Sequence, residues 1–121
     1  MGVVAWITGL VVAAGFGMAG VGKIQGMAMM DATRDRFAIA DNRWKALGGL
    51  EVLGAVGVII GLFTDENTLE FIGFFAAIGL IATSIGAVVF HVRAGDPPKE
   101  LGGAVVLLVF TFVYLVAIGA R

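Results

Sequence analysis

Residues 71–90 read FIGFFAAIGLIATSIGAVVF, a run of twenty residues that contains no charged side chain. A helix that crosses a bilayer needs about 20 mostly apolar residues, because each residue adds about 1.5 Å and the hydrocarbon core is about 30 Å thick. The chain holds three further apolar runs, at residues 3–22, 46–63 and 101–120, of which only 46–63 carries an ionisable side chain, Glu51. The sequence therefore predicts an all-α membrane protein, in which residues 1–121 form one domain, a bundle of four transmembrane helices.

The composition also predicts a membrane environment. The 121 residues are 60% hydrophobic and 14% charged, and the mean hydropathy is +1.01. A soluble domain of this size would leave much of that apolar surface in water, so the surplus predicts contact with a lipid bilayer. The net charge of -1 excludes the basic field that nucleic-acid binding requires, so no nucleic acid is expected as a partner.

Cysteine is absent and His91 is the single histidine, which limits the chemistry of the chain itself. Thiol nucleophiles, Cys-based zinc sites and iron–sulfur clusters need cysteine, and haem or zinc sites within one chain usually need several ligands of these types. We therefore expect no metal site and no cofactor held by this chain alone. Any redox group would come from a partner or be a mobile lipid-soluble molecule.

Lysine and arginine are distributed unevenly between the two ends of the predicted bundle. Short loops rich in these residues stay in the cytoplasm. The first and third connections carry seven of the eight cationic residues, and the opposite side carries only Arg121. This predicts a multi-pass protein of the bacterial plasma membrane, with both termini outside the cytoplasm. The cationic residues expected at the cytoplasmic face are Lys23, Arg34, Arg36, Arg43, Lys45, Arg93 and Lys99.

The first connection is long enough to hold structure of its own. Within residues 24–44, five side chains follow the spacing of one helical face, namely Met30, Thr33, Phe37, Ala40 and Trp44. This pattern predicts a short interfacial helix between the first two transmembrane helices. A mobile surface loop is the alternative, because Gly26 and the mixed charges weaken the pattern.

Glycine is abundant, and most of the 19 glycines lie inside the apolar runs. In lipid, small residues four apart allow helix backbones to approach closely. Three such pairs predict close packing within the bundle, with a homodimer contact as the alternative use of the same faces. The pairs are Gly15 with Ala19, Gly57 with Gly61, and Ala82 with Gly86.

Four ionisable residues fall at the cytoplasmic end when the helices alternate in direction. Lys23 closes the first helix, Glu51 lies about 9 Å into the second, and His91 and Arg93 close the third. An ionised carboxylate in hydrocarbon is costly, so Glu51 should be protonated or should face the bundle interior beside a cation. We therefore select Lys23, Glu51, His91 and Arg93 as candidates for ligand binding or proton handling.

A purely structural role is the alternative for the same residues. Glu51 would then only tie neighbouring helices together, while Lys23 and Arg93 would extend toward water and lipid head groups. Local or interhelical hydrogen bonds are expected for the hydroxyl groups of Thr83, Ser84, Thr111 and Tyr114.

Three stretches give the chain a resemblance to a known family: AGVGKI at residues 19–24, LGGLEVLGA at 47–55 and GAVVFHVRAGD at 86–96. In these stretches and in its plan of four spans, the chain resembles the DoxX-like integral membrane proteins of the DoxX superfamily. The resemblance implies that the recurring Lys, Glu and His positions of the family correspond to Lys23, Glu51 and His91.

The resemblance also implies a function, because the broader group includes proteins similar to the membrane subunits of thiosulfate:quinone oxidoreductases. We expect an accessory or redox-associated subunit of a larger membrane complex that binds a quinone or a lipid head group at its cytoplasmic face. Its partners would be the bilayer and either another membrane protein or further copies of the chain. No catalytic motif is present, so whether the chain is an enzyme stays open. The alternative is a stand-alone small transporter or proton path that uses Glu51 and His91.

Overall fold

A computed structural model describes residues 2–63 and 67–120 of the chain. This part of the chain forms five α-helices: α1 (Val3–Gln25), α2 (Ala28–Phe37), α3 (Asp41–Leu62), α4 (Asn67–Arg93) and α5 (Pro98–Gly119). Four of them, α1, α3, α4 and α5, are long and apolar enough to cross a membrane. The structure confirms the predicted all-α bundle of four membrane helices. Arg121, the single cation expected on the opposite side, lies outside the described residues.

The four long helices form a ring in which each packs against two others. α1 packs against α3 and α5, and α4 packs against the same two helices from the other side. Large apolar side chains cover the outside of the ring; Leu50, Phe75 and Phe112 are each more than half exposed. An exterior this apolar is stable only against lipid, so the chain is a multi-pass membrane protein in contact with the bilayer.

One end of the ring, which we call the basic end, is where α1 and α4 finish, α3 and α5 begin, and α2 lies. The helices continue past the apolar runs here. α3 begins at Asp41 rather than at Ala46, and α1 continues through Lys23 to Gln25. Glu51 is therefore ten residues into its helix, about 15 Å from the start rather than about 9 Å.

The short helix expected in the first connection is present as α2, and the alternative of a loop without structure is wrong. Gly26, at φ 72°, separates it from α1, and Ala38, at φ 55°, ends it by directing its N–H to the carbonyls of the last turn. The helical face predicted from Met30 to Trp44 does not continue along α2 as far as Trp44. Ala40 follows the end of α2, and Trp44 belongs to α3, where it is buried.

Two of the three small-residue pairs lie at close helix contacts. A Cβ on Gly57 would lie 2.7 Å from Ala76 Cβ, and one on Gly61 would lie 2.8 Å from the Cα of Gly73, so α3 and α4 nearly touch. A Cβ on Gly15 would meet Leu107, on α5. The prediction for the third pair is wrong. Ala82 is exposed, and nothing lies within 4 Å of the point that a Cβ on Gly86 would occupy.

Candidate functional site

The site begins at the crossing of α1 and α3. A Cβ on Gly20 would lie 2.5 Å from the carbonyl oxygen of Gly48, and a Cβ on Gly48 would lie 2.7 Å from the carbonyl oxygen of Gly20. No other residue type allows two helix backbones to approach this closely. The pattern of small residues four apart does not predict this contact, because it compares positions on one helix and Gly20 and Gly48 lie on different helices. Both glycines lie in the stretches that carry the family resemblance.

One turn from this crossing, Lys23 and Glu51 form a buried ion pair. Helix side chains lean toward the N-terminus of their own helix. Because α1 and α3 run in opposite directions, Lys23 leans into the bundle while Glu51 leans toward the basic end, and the two meet. Lys23 Nζ lies 2.7 Å from Glu51 Oε1, with side-chain exposures of 10% and 5%. The purely structural alternative expected Lys23 to extend toward water. The buried ion pair shows that it does not.

A cavity of about 500 Å³ lies beside this ion pair in the basic half of the bundle. Its volume falls within the range of about 300–1,000 Å³ that is typical of small-molecule sites. All five helices contribute to its wall, which is mostly apolar. The apolar lining includes Phe16, Leu47, Phe90 and Leu107, and the polar lining includes Lys23, Glu51, Ser84, His91 and Glu100.

A second polar cluster fixes α2 over the cavity. Asp96 Oδ2 accepts a hydrogen bond from Arg36 at 2.8 Å and lies 2.6 Å from His91 Nδ1. We call Arg36, His91 and Asp96 the α2 latch. The Arg36 guanidinium and the His91 ring hold the pKa of the Asp96 carboxyl below its ordinary value. Asp96 was missed by the sequence analysis, although it ends the family stretch 86–96.

Aromatic contacts add to the latch. The Phe37 ring, at the end of α2, stacks on Phe90 at 5.4 Å between ring centres and meets the His91 ring edge-on at 4.9 Å. Together with Met29, Met30 and Thr33, Phe37 lines the cavity from the α2 side. α2 is therefore one wall of the cavity and is attached by its last turn to the end of α4 and the loop that follows.

The structure brings together three of the four residues selected from the sequence. Lys23, Glu51 and His91 line the same cavity, whereas Arg93 does not. The Arg93 side chain is exposed, and its guanidinium carbon lies 6.0 Å from the ring centre of Phe90. His91 is paired with Asp96, and within the described residues no hydrogen bond links it to Glu51.

Two further polar side chains line the cavity, and neither was selected from the sequence. Trp44 and Ser84 are each 2% exposed. Trp44 Nε1 and Ser84 Oγ have no hydrogen-bond partner within the part of the chain that the structure describes. The expected local hydrogen bond is therefore absent for Ser84. Thr83, Thr111 and Tyr114 do form theirs, to the carbonyls of Gly79, Leu107 and Val58 respectively.

Comparison with known proteins gives one match. No curated protein and no solved structure matches the chain. The sequence model of the DoxX-like family matches residues 7–114. That range includes the α1–α3 crossing, the buried ion pair, the α2 latch and almost all of the four membrane helices.

Proposed function

The chain belongs to the DoxX-like family, and from this premise we propose that its cavity binds the head group of a quinone in a redox-associated accessory subunit of a larger membrane complex. One observation carries the proposal: a largely apolar cavity of about 500 Å³ that contains a buried ion pair, Lys23 with Glu51, inside a membrane-spanning bundle. A binding cavity with a few polar groups in an apolar wall is typical of sites for small amphipathic molecules.

The chemistry of a quinone suits this wall. Its head group is a flat ring with carbonyl oxygens that accept hydrogen bonds, and its tail is a hydrocarbon that is soluble in the bilayer. The rings of Phe16 and Phe90 supply apolar surface for the head group. Reduction of a quinone consumes protons as well as electrons, and the Lys23–Glu51 pair and His91 are ionisable groups at the cavity that exchange protons.

Electrons would come from a partner protein, because the chain contains no cysteine and a single histidine. This supports an accessory role in a complex rather than a complete enzyme. Extraction in a mild detergent followed by mass measurement of the intact particle tests the role. A partner protein in fixed stoichiometry is the expected result, and a particle that contains only this chain and lipid contradicts it.

We further propose that the basic end faces the cytoplasm of a bacterial cell and that both termini lie outside. The support is the charge at this end of the described helices: Arg34 and Arg36 lie on α2, Lys45 lies near the start of α3, and Lys99 near the start of α5. Cytoplasmic loops are enriched in such residues. Quinone reduction at this end would then take its protons from the cytoplasm.

The alternative of a stand-alone proton path receives less support. Beyond Glu51, toward the opposite end, the buried core of the described helices is mostly apolar and includes Val12, Val58 and Leu80. The buried hydroxyls of Thr8 and Thr111 there donate to carbonyls of their own helices. The Tyr114 hydroxyl is bonded to the Val58 carbonyl. A proton that reached Glu51 from the basic end would therefore meet a layer in which the described residues bury no further carboxylate, lysine or histidine.

A steric block tests quinone binding. Gly103 lines the cavity, and a Cβ there meets no described atom within 4 Å, so Gly103→Leu adds a side chain at the cavity wall from an unobstructed Cβ position. Gly102→Leu is the matched control, because it is equally unobstructed but does not line the cavity. The melting temperature of each protein is measured in nanodiscs with and without 1,4-naphthoquinone.

We expect naphthoquinone to raise the melting temperature of the wild type and of Gly102→Leu, but not that of Gly103→Leu. At a concentration of about 100 Kd, binding stabilises a folded protein by about 2.7 kcal/mol. An equal rise in all three proteins would place the bound quinone outside the cavity. The absence of any rise in the wild type would contradict the proposal.

A further inference from the structure

Ser84 differs from three other hydroxyl-bearing side chains of the membrane helices, of which Thr8 and Thr111 are buried and Thr83 is partly exposed. Thr8, Thr83 and Thr111 each donate a hydrogen bond to the carbonyl four residues earlier, at 2.7, 3.0 and 2.6 Å. Ser84 has the same backbone acceptor available on α4, but its Oγ makes no hydrogen bond to any described residue. A buried hydroxyl that leaves this local partner unused is unfavourable in the free protein unless another partner is supplied.

Trp44 is the second buried group of this kind. Its side chain lines the cavity and covers Lys23, whose Nζ lies 4.9 Å from the centre of the ring. The indole Nε1–H can only donate a hydrogen bond, and a buried indole usually finds an acceptor. Within the described residues Nε1 has none.

Lys23, Glu51 and His91 at the cavity wall already have partners, whereas these two donors have none among the described residues. Lys23 is paired with Glu51, and His91 with Asp96. We infer that Trp44 and Ser84, on the neighbouring helices α3 and α4, donate hydrogen bonds to two acceptor oxygens of a bound ligand. This inference rests on the proposed function. It assigns Trp44 and Ser84 as the hydrogen-bond donors to the two carbonyl oxygens of the quinone.

The chemistry of the donors defines the class of ligand. A neutral molecule with two carbonyl-type oxygens satisfies both Nε1–H and Oγ–H, while a hydrocarbon of the same shape leaves both unpaired. The ester carbonyls of a phospholipid share this chemistry with a quinone. The experiment therefore includes both sources of carbonyl oxygens, 1,4-naphthoquinone and a short-chain phosphatidylglycerol. Naphthalene serves as the hydrocarbon probe without carbonyl groups.

Two variants remove one donor each, and each has a matched control. Trp44→Phe and Ser84→Ala remove the Nε1–H and Oγ–H groups. Trp6→Phe changes a tryptophan that packs on Phe63 rather than at the cavity. Thr111→Val removes a buried hydroxyl that already has an internal partner and does not line the cavity. Dissociation constants are measured for the full chain in nanodiscs.

We expect each donor variant to bind naphthoquinone about 2- to 12-fold more weakly than the wild type, the effect of one net hydrogen bond. Naphthalene binding should change little in Ser84→Ala, and both controls should bind naphthoquinone like the wild type. Ligand-free Ser84→Ala should melt at or above the wild-type temperature, because the Ser84 hydroxyl has no partner among the described residues to lose. A purely structural Ser84 would instead make the free variant melt lower.

The outcomes separate this inference from the proposed function. If the wild type binds naphthoquinone and both donor variants bind it equally well, the inference is wrong and the proposed function stands. If only phosphatidylglycerol binds, and both variants weaken that binding, the assignment of the two donors is correct but the ligand is not a quinone. If the wild type binds neither naphthoquinone nor phosphatidylglycerol, both the inference and the proposed function are wrong.

Discussion

Replacement of Lys23 by methionine provides the most direct test of the buried ion pair. Methionine has nearly the length of lysine but no charge, so the variant keeps the shape of the side chain and removes the partner of Glu51. The pair is 2.7 Å apart and almost fully buried between α1 and α3. Lys23→Met would therefore leave a carboxylate in an apolar interior with no cation beside it.

The expected size follows from that burial. Removal of one partner from a buried pair costs about 3–5 kcal/mol, whereas replacement of both partners by uncharged groups of similar volume is close to neutral or stabilising. We expect Lys23→Met to lower the free energy of unfolding by about this amount. The double variant Lys23→Met/Glu51→Gln should return to within about 1 kcal/mol of the wild type, because neither charge then remains unpaired.

The assay is reversible unfolding by increasing mole fractions of dodecyl sulfate in mixed micelles, followed by circular dichroism. Lys45→Met is the matched control. Lys45 pairs with Asp41 at 3.2 Å, but the side chains are 51% and 56% exposed, and pairs of this kind contribute only about 0–1 kcal/mol. If Lys23→Met costs no more than Lys45→Met, the two charges are not buried together and the proposed core of the site is wrong.

Two further predictions concern the α2 latch and the helix crossing. Asp96→Asn should accelerate amide hydrogen exchange in α2, because it removes the charge shared by Arg36 and His91. Arg36 and His91 lower the pKa of Asp96 from its ordinary value of 3.8, so the latch is intact above that pH and is lost as the pH falls through the lower folded value. The protection of the α2 amides, which is the measured exchange rate corrected for the intrinsic rate at each pH, should therefore fall in acid. Protection of α2 that is insensitive to both changes would refute the latch. Gly48→Ala should cost about 1–3 kcal/mol in the dodecyl sulfate titration, since its new Cβ would lie 2.7 Å from a backbone carbonyl of α1. Gly49→Ala, which meets nothing within 4 Å, should cost nothing, and equal effects of the two substitutions would contradict the crossing.

Much of the fold could be predicted because the membrane simplifies the physics. Hydrocarbon requires every backbone polar group of a spanning segment to be paired within the protein, so each long apolar run must be a helix. The runs at 3–22, 46–63, 71–90 and 101–120 all lie within or largely within such helices. Their ends were harder to predict, because Asp41 and Pro98 begin helices at polar positions where hydropathy gives no signal.

The candidate site was predicted in part. Alternation of four helices places Lys23, Glu51 and His91 at one end, and they do line one cavity. Arg93 is only two residues from His91, yet it is directed away from the cavity, because a step of two residues on a helix turns a side chain toward the opposite face. Trp44 was assigned to the face of α2, but the left-handed turn at Ala38 places it in α3.

The sequence by itself determined that this chain crosses a membrane four times and that seven of its eight cationic side chains, with Glu51 and His91, gather at one end, because both follow from side chains counted along the chain. Tertiary structure alone decided which groups meet. The contact between Gly20 and Gly48 joins Lys23 to Glu51, and the packing of the helices leaves Trp44 Nε1 and Ser84 Oγ at the cavity without a hydrogen-bond partner among the described residues. Contacts between helices depend on rotation and distance of closest approach, which hydropathy along a single chain does not record.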